Sequence, residues 1–473
     1  MKHVLKIALI IVLMLVAAIA AGSYFGALTD DEKNGGGAQD EAQAAQRRDD
    51  DVFNSNLPII DIRLESKALS KDAYTWCNVQ VFWNEGANNY LDDEPQLTEA
   101  AAIKYRGSSS YKYFDKMQYK LEFRKKQGSE NRITKKLLGM NTSDDWALYG
   151  PFLDTSLMRN KLLYTISQDI FEWAPGCRYC EVFVDGVYQG IYLVVEYPSN
   201  EPGRLNLSQF SLLSGETAYV VLRNDIGFGD VHIETYGETE GYTAYPILLK
   251  YPNGDDITRR QFEYIQRDLN RFERALYSQE YLSETIGYKT YIDVDSFVDY
   301  FIINEFSMLK DAGLQSVFLY KELGGKLKTT VWDFNNAFDL YMDYEKNPDE
   351  WTTLDSNWHQ RFLQDDAFVD LVVARYRALR KTTLSDQNIM RIIDENADYI
   401  REAAQRNFEV YGYMFYESPV NSRKEKDEQP RSFEDAVQEL KDIIIARGEF
   451  MDRNIEELYN YPYMEGEEIA EEE

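Results

Sequence analysis

The chain has 473 residues, 44 % of them hydrophobic and 14 % aromatic, enough for a sizeable core and two or three compact units. Its formal net charge is −30, from 81 acidic and 51 basic residues. That balance argues against nucleic-acid binding through a basic face and suits long-range attraction of a basic protein partner.

Residues 1–28 read as a targeting segment. Lys2, His3 and Lys6 precede an unbroken apolar run over 7–21, and small residues cluster at 18–23, where a signal peptide is cut. Apolar character resumes at Tyr24, Phe25 and Leu28, so the same stretch is also long enough for an uncleaved membrane anchor. The leading positive charges then place the bulk of the chain outside the cytoplasm. Residues 29–56, with Gly35-Gly36-Gly37 and many charges, read as a disordered linker.

Residues 57–197 read as mainly β. Strands are predicted at 59–64, 78–83, 102–106, 118–124, 146–149, 180–184 and 190–196, with a hairpin turn at Asp185-Gly186. One helix is predicted over 156–171, with Asp154 as its N-cap. In the strand around Lys120, Tyr119, Leu121 and Phe123 alternate toward a core, which sends Lys120 and Glu122 to the other face. Lys116, just ahead of it, is a second candidate for a lysine that meets a phosphate. Arg106 to Ser110 follows a strand with residues small enough for backbone N–H groups to approach an anion.

Residues 197–207, with Pro198, Pro202 and Gly203, read as a loop and as a hinge. Short strands follow over 218–251. Helices are predicted at 260–277, 295–309, 367–382, 386–406 and 433–459, the last with clear 3.6-residue periodicity. Residues 461–473 form an acidic tail. The expected fold class is therefore α+β and two-lobed, with a mainly β N-lobe (57–197) and a mainly helical C-lobe (198–460). Cys177 and Cys180 form a Cys-x-x-Cys with Cys77 apart, and no second such pair or His pair accompanies them, which argues against zinc. Three thiols are the simpler reading; a disulfide is compatible with an extracytoplasmic setting.

The stretch 310–339 is a loop, a strand (316–321), a Gly324-Gly325 turn, a second strand (327–332) and a loop. Asp311 enters the hairpin and Asp333 leaves it, so both carboxylates lie at one end. Such a pair suits metal binding together with proton abstraction; as a bare pattern it equally fits two surface aspartates beside an ordinary hairpin.

Several segments, in order, carry a resemblance: IKYRGSSS (103–110), MQYKLEF (117–123), LLGMNTSDDWALYGPFLDTSLMRN (137–160), EVFVDGVYQGIYLVVE (181–196), FIINEFSMLKD (301–311) and VWDFNNAFD (331–339). They resemble the CotH family, atypical protein kinases first known from bacterial spore coats, over about residues 57–460. The resemblance implies transfer of the ATP γ-phosphate, with Mg²⁺ or Mn²⁺, to Ser or Thr of a secreted or surface protein, one that is basic and Ser-rich. It implies that Asp333 holds the metal and that Asp311 orients or deprotonates the acceptor hydroxyl. Ser316 stands where ordinary kinases have a metal-binding Asn, and Asn335 where family members have a second Asp nearby; both departures weaken the metal set, with Asn336 a further alternative. Lys120 is implied at the phosphates, Arg106 and Ser108 in place of a glycine-rich loop, Arg159 at a phosphate, and Glu196 near the adenine. The usual helix Glu that pairs with the lysine is missing from 156–169, so that pairing must differ. A binding or adhesion module on the same fold is the alternative, because fold does not fix function. A glycosidase is a third reading, against which the lysine, the arginine and the small-residue loop argue.

Overall fold

Apolar alternation closes the first part of the chain into a barrel. The computed structural model describes residues 52–66, 69–208, 215–224, 230–254, 256–341, 347–421, 424 and 429–463. The expected targeting segment, the linker up to residue 51 and the tail from residue 464 lie outside the described residues. β1 (Asn54–Ser55) and β4 (Asn89–Tyr90) make a small ladder of their own. The barrel strands are β2 (Ile59–Leu64), β3 (Thr75–Phe82), β5 (Leu97–Tyr105), β6 (Tyr119–Phe123), β7 (Asp145–Tyr149), β8 (Cys177–Val184) and β9 (Val187–Val195). They close in the order β2-β3-β5-β6-β7-β9-β8. Neighbours are antiparallel except β2 and β8, which run parallel and complete the ring, Ile59 opposite Glu181. Closure leaves no open edge. The strands stand where alternation predicts them, but in a closed barrel rather than the sheet of a small lobe.

The interior is filled by Ile60, Ile62, Val79, Val81, Leu121, Phe123, Trp146, Val182 and Val194, among others. Lys120 and Glu122 share the outer face, as the period of two requires. Glu122 is nevertheless fully buried there, beneath Tyr74, Lys120 and Arg124. Cys180 faces the barrel interior and Cys177 the outer core, since an offset of three residues changes face in a strand; both, like Cys77, are buried free thiols.

α1 (Ser109–Tyr113) follows β5, and α2 (Arg159–Gln168) follows β7. α2 is shorter than the predicted 156–171 because Leu157 takes a left-handed backbone (φ 61°), which no helix continues through. Asp154 still serves the entry: its carboxylate accepts the N–H of Ser156 (3.1 Å) and of Arg159 (2.9 Å).

The rest of the chain builds a second sheet, in the order β11-β12-β10-β13-β14, from β10 (Tyr219–Arg223), β11 (Val231–Ile233), β12 (Ile247–Tyr251), β13 (Val317–Lys321) and β14 (Leu327–Thr330). Around it lie α3 (Tyr236–Thr239), α4 (Arg259–Tyr277), α5 (Val294–Phe306), α6 (Asn357–Phe362), α7 (Asp366–Leu379), α8 (Asp386–Tyr411), α9 (Met414–Glu417) and α10 (Phe433–Asn454). α4 opens with a capping box, Thr258 and Gln261 each satisfying the other's backbone N–H. The predicted 433–459 helix gives way after Asn454 to a 3₁₀ segment, Ile455–Tyr463. No described helix is long and apolar enough to cross a membrane.

The outer faces of β7 and β9 do not meet water. Ala147, Ile191, Leu193 and Val195 join Leu162, Leu163 and Tyr164 of α2, and the same core runs on through Ile302, Phe306, Phe334 and Ile393. From Asn54 onward the chain is one compact unit of mixed helix and sheet. The 197–207 loop is tied to the barrel: Arg204, with its side chain wholly buried, pairs with Glu201 (3.3 Å) and Asp145 (3.5 Å) and stacks on Trp146 (4.9 Å).

Candidate functional site

Leaving β14, the chain turns sharply at Asp333, whose φ and ψ of 65° and 62° are left-handed. That conformation costs a residue with a side chain about 1–2 kcal/mol, so its surroundings must impose it. α2 does so through backbone atoms. The Tyr164 hydroxyl accepts the Asp333 N–H (3.1 Å), Asn160 Oδ1 accepts the Phe334 N–H (3.0 Å), and Arg159 Nε donates to the Ala337 carbonyl (2.9 Å). The other arm of Arg159 pairs with Asp154 at 2.6 Å. The sequence places Arg159 at a phosphate; its guanidinium instead holds the turn that follows Asp333, and the side chain is buried.

The Asp333 carboxylate lines a small cleft with Arg106, Tyr149, Asn160, Tyr164, Val195 and Trp332. Ser316 Oγ donates to its Oδ2 at 3.3 Å, so the hairpin does bring Ser316 and Asp333 to one end. Desolvation pushes the Asp333 carboxyl above its ordinary value; Arg106 and the Ser316 hydroxyl pull it back only in part. A carboxylate in that condition gains from any further cation placed beside it.

Arg106, at the exit of β5, lies over two rings, Trp332 (5.6 Å) and Tyr197 (5.8 Å), which stack on each other at 5.2 Å. Burial works against its charge, and neighbouring Tyr197 and Asp333 more than restore it. The Lys120 ammonium also reaches Tyr197, at 5.3 Å. Its acidic partners are Asp145 (3.2 Å) and Glu122 (3.3 Å). The pairing that sequence could not find on a helix is thus supplied by strands β6 and β7. Burial pulls the Lys120 ammonium down, and these carboxylates with Tyr74 and Tyr197 raise it above its usual value. Lys116, the competing lysine, is fully buried elsewhere, donating to Asn407 of α8 (2.6 Å) between the rings of Tyr192 and Tyr411.

The Arg106 to Ser110 stretch is a tight turn into α1 rather than an open loop. Gly107 has φ 88°, and a Cβ there would lie 2.0 Å from Ser110 Oγ, so only glycine fits. Ser108 is exposed at the entry of α1 and makes no capping bond. Glu196 is buried at the end of β9, where its carboxylate accepts the N–H of Asn141 (2.9 Å) and of Gly176 (3.0 Å). Asn335, two residues beyond Asp333, donates to Asn336 Oδ1 (2.9 Å). Asp311 is half-buried in the loop that feeds Ser316; its carbonyl accepts Leu314 N–H (3.0 Å) and Gln315 N–H (2.8 Å). Sequence reasoning did not anticipate the aromatic walls, Tyr149, Tyr164 and Trp332, or Tyr197 stacked behind Trp332. Only Trp332, beside Asp333, carried a local signal.

Next to Lys120, Asp144, Asp145 and Glu201 bring carboxylate oxygens within 4.8 Å of one another. Lys120, Arg132 and Arg204 answer them with positive charge. Burial first, then Asp145 and Glu201, push the Asp144 carboxyl up to about 6. A carboxyl raised in the fold binds its proton more tightly there than in the unfolded chain. The stability this contributes is complete below about pH 4 and is lost as pH rises through about 6. Asp144→Asn is therefore expected to stabilise the protein by about 1–2 kcal/mol at neutral pH and to flatten the melting temperature between about pH 4 and 6. An unchanged slope in that window would remove the assignment.

A family model described as CotH kinase protein matches residues 103–451. The chain belongs to the CotH kinase family. No curated protein matches the chain. The family match opens inside β5 and closes inside α10, so it takes in Arg106, Lys120, α2, Asp311 and Asp333 together. In this CotH chain, Ser316 is the hydroxyl that meets the Asp333 carboxylate, and it is a weaker oxygen donor than a carboxylate.

Proposed function

We infer that this CotH chain is a protein kinase that moves the ATP γ-phosphate to a Ser or Thr hydroxyl of another protein. The observation that carries the reading is the grouping of Asp333, Ser316 and Arg106 at one cleft, with Lys120 beside it across Tyr197. The donor set fits a hard divalent ion: a carboxylate whose charge is only partly answered, a hydroxyl at 3.3 Å and two nearby amides, all able to offer oxygen. Asp333 and Ser316 would hold Mg²⁺ or Mn²⁺, with Asn335 or Asn336 completing the set. When bound, such an ion neutralises charge on the β and γ phosphates.

The remaining steps belong to the chain. Arg106 and Lys120 place positive charge where the phosphates lie, and their aromatic and acidic neighbours fix where those charges point. Asp311 accepts the acceptor hydroxyl proton as that oxygen bonds to the γ-phosphorus and the bond to the β–γ bridging oxygen breaks. The net charge of −30 supports a basic, Ser-rich acceptor. The apolar run at 7–21 supports a secreted, surface or anchored setting. Ser316 and Asn335 favour a second reading, a surface binding module that takes nucleotide weakly and transfers nothing.

The test is incubation of the full chain with labelled ATP and Mg²⁺ or Mn²⁺, alone and with a basic Ser-rich protein. Metal-dependent label on either protein is the expected result. Neither label nor a nucleotide-dependent rise in melting temperature would end the kinase reading in favour of the binding module.

A further inference from the structure

Away from the cleft, a wholly buried ion pair serves a turn that bears no reactive group. Glu305, at the end of α5, pairs with Arg447 of α10, and both side chains are wholly buried. The Glu305 carboxylate also accepts the Thr352 N–H (2.7 Å), the Thr353 N–H (2.8 Å) and the Thr353 hydroxyl (2.6 Å). Arg447 donates further to the carbonyls of Glu305 (2.8 Å), Pro348 (2.9 Å) and Glu350 (2.5 Å). A buried pair is tolerable only when its remaining hydrogen-bonding capacity is satisfied, and here that capacity is directed at the 348–353 segment. The segment is pinned between α5 and α10.

The next turn continues the contact. Ser356 Oγ donates to the Thr353 carbonyl (2.9 Å) and sits 2.8 Å from His359 Nδ1. This turn lies against Gly313, two residues beyond Asp311. Gly313 has φ 77°, and a Cβ on it would meet Ser356 Oγ at 2.8 Å and His359 Cε1 at 3.5 Å. Gly313 N–H donates to the Tyr300 hydroxyl of α5 at 3.3 Å. The loop that carries Asp311 is therefore seated between α5 and the 353–356 turn.

We propose that Glu305, Arg447 and Thr353 are positioning residues for Asp311. The buried pair fixes the turn, the turn fixes Gly313, and Gly313 fixes the loop that aims the Asp311 carboxylate at the acceptor. The catalytic part of this statement rests on the phosphotransfer reading; the mechanical coupling does not.

Gly313→Ala tests it locally, with the ion pair left intact. In the full chain, kcat falls by about a hundredfold, while KM for ATP and affinity for ADP stay within about twofold. The double variant Gly313→Ala with Ser356→Gly removes the atom that the new Cβ strikes and recovers about tenfold of that loss. Thr353→Val, which keeps its N–H bond to Glu305 and loses only the hydroxyl contact, lowers kcat in the same pattern. Hydrogen exchange supplies a readout independent of activity: amides of 313–315 exchange faster in Gly313→Ala and return toward the parent rate in the double variant. That exchange pattern in a chain showing no phosphate transfer would keep the coupling and end the kinase reading. Unchanged kcat and exchange in Gly313→Ala, or no recovery with Ser356→Gly, would overturn the proposal.

Discussion

Asp333→Ala is expected to abolish metal-dependent nucleotide binding while leaving the fold in place. The carboxylate lines the cleft, is held by one hydroxyl at 3.3 Å, and sits above its ordinary pKa because burial disfavours its charge. Its removal therefore takes little from stability and relieves a desolvation penalty. On the proposed reading it would take much from binding, because an ion held by Asp333 would supply several kcal/mol of charge neutralisation. Calorimetric titration of Mn²⁺ with ADP should show at least about a hundredfold weaker binding, near 2.7 kcal/mol. Arg106, left beside an uncharged side chain, cannot stand in, since it offers no lone pair to a cation. Retention of Mn²⁺-dependent ADP binding in the variant would take the metal away from Asp333.

Asp311→Ala should separate binding from transfer. The half-buried Asp311 stands in the loop ahead of Ser316, and its carbonyl accepts the N–H groups of Leu314 and Gln315. Truncation at Cβ leaves those bonds intact. Nucleotide affinity should stay within about threefold, and phosphate transfer should fall by about 10²–10⁴, the range for loss of a positioned base. Single-turnover transfer beside an ADP titration reads both quantities. Weaker binding with an unchanged rate at saturation would instead make Asp311 a metal ligand.

Much of the local structure was legible because it rests on short-range chemistry. The hairpin ending at Asp333 and the alternation around Lys120 are each decided within a few residues. Barrel closure was not, because β2 and β8 pair across most of the preceding sequence and no local pattern announces a parallel partner. The length of α2 was overestimated because apolar spacing runs through Leu157, whose left-handed backbone is imposed by packing. Within the site, the hairpin pattern pointed to Asp333, while Ser316 and Lys120 were named through the family resemblance. Lys116 and Lys120 flank the start of the same strand, and the choice between them depends on Asn407, far along the chain. Tyr149 and Tyr164 were invisible among 35 tyrosines, since nothing local marks one as a wall of a cleft.

The hydrogen bonds from α2 to the 333–337 turn reach only main-chain atoms, two N–H groups and one carbonyl, while Tyr164 packs edge-on against the Phe334 ring. Those hydrogen bonds are blind to what the turn displays. Asn335 and Asn336, both only half-buried, are free to be exchanged for other donors without altering the path of the backbone. The helix fixes the path of the turn, and the side chains at 335 and 336 can change while that path stays.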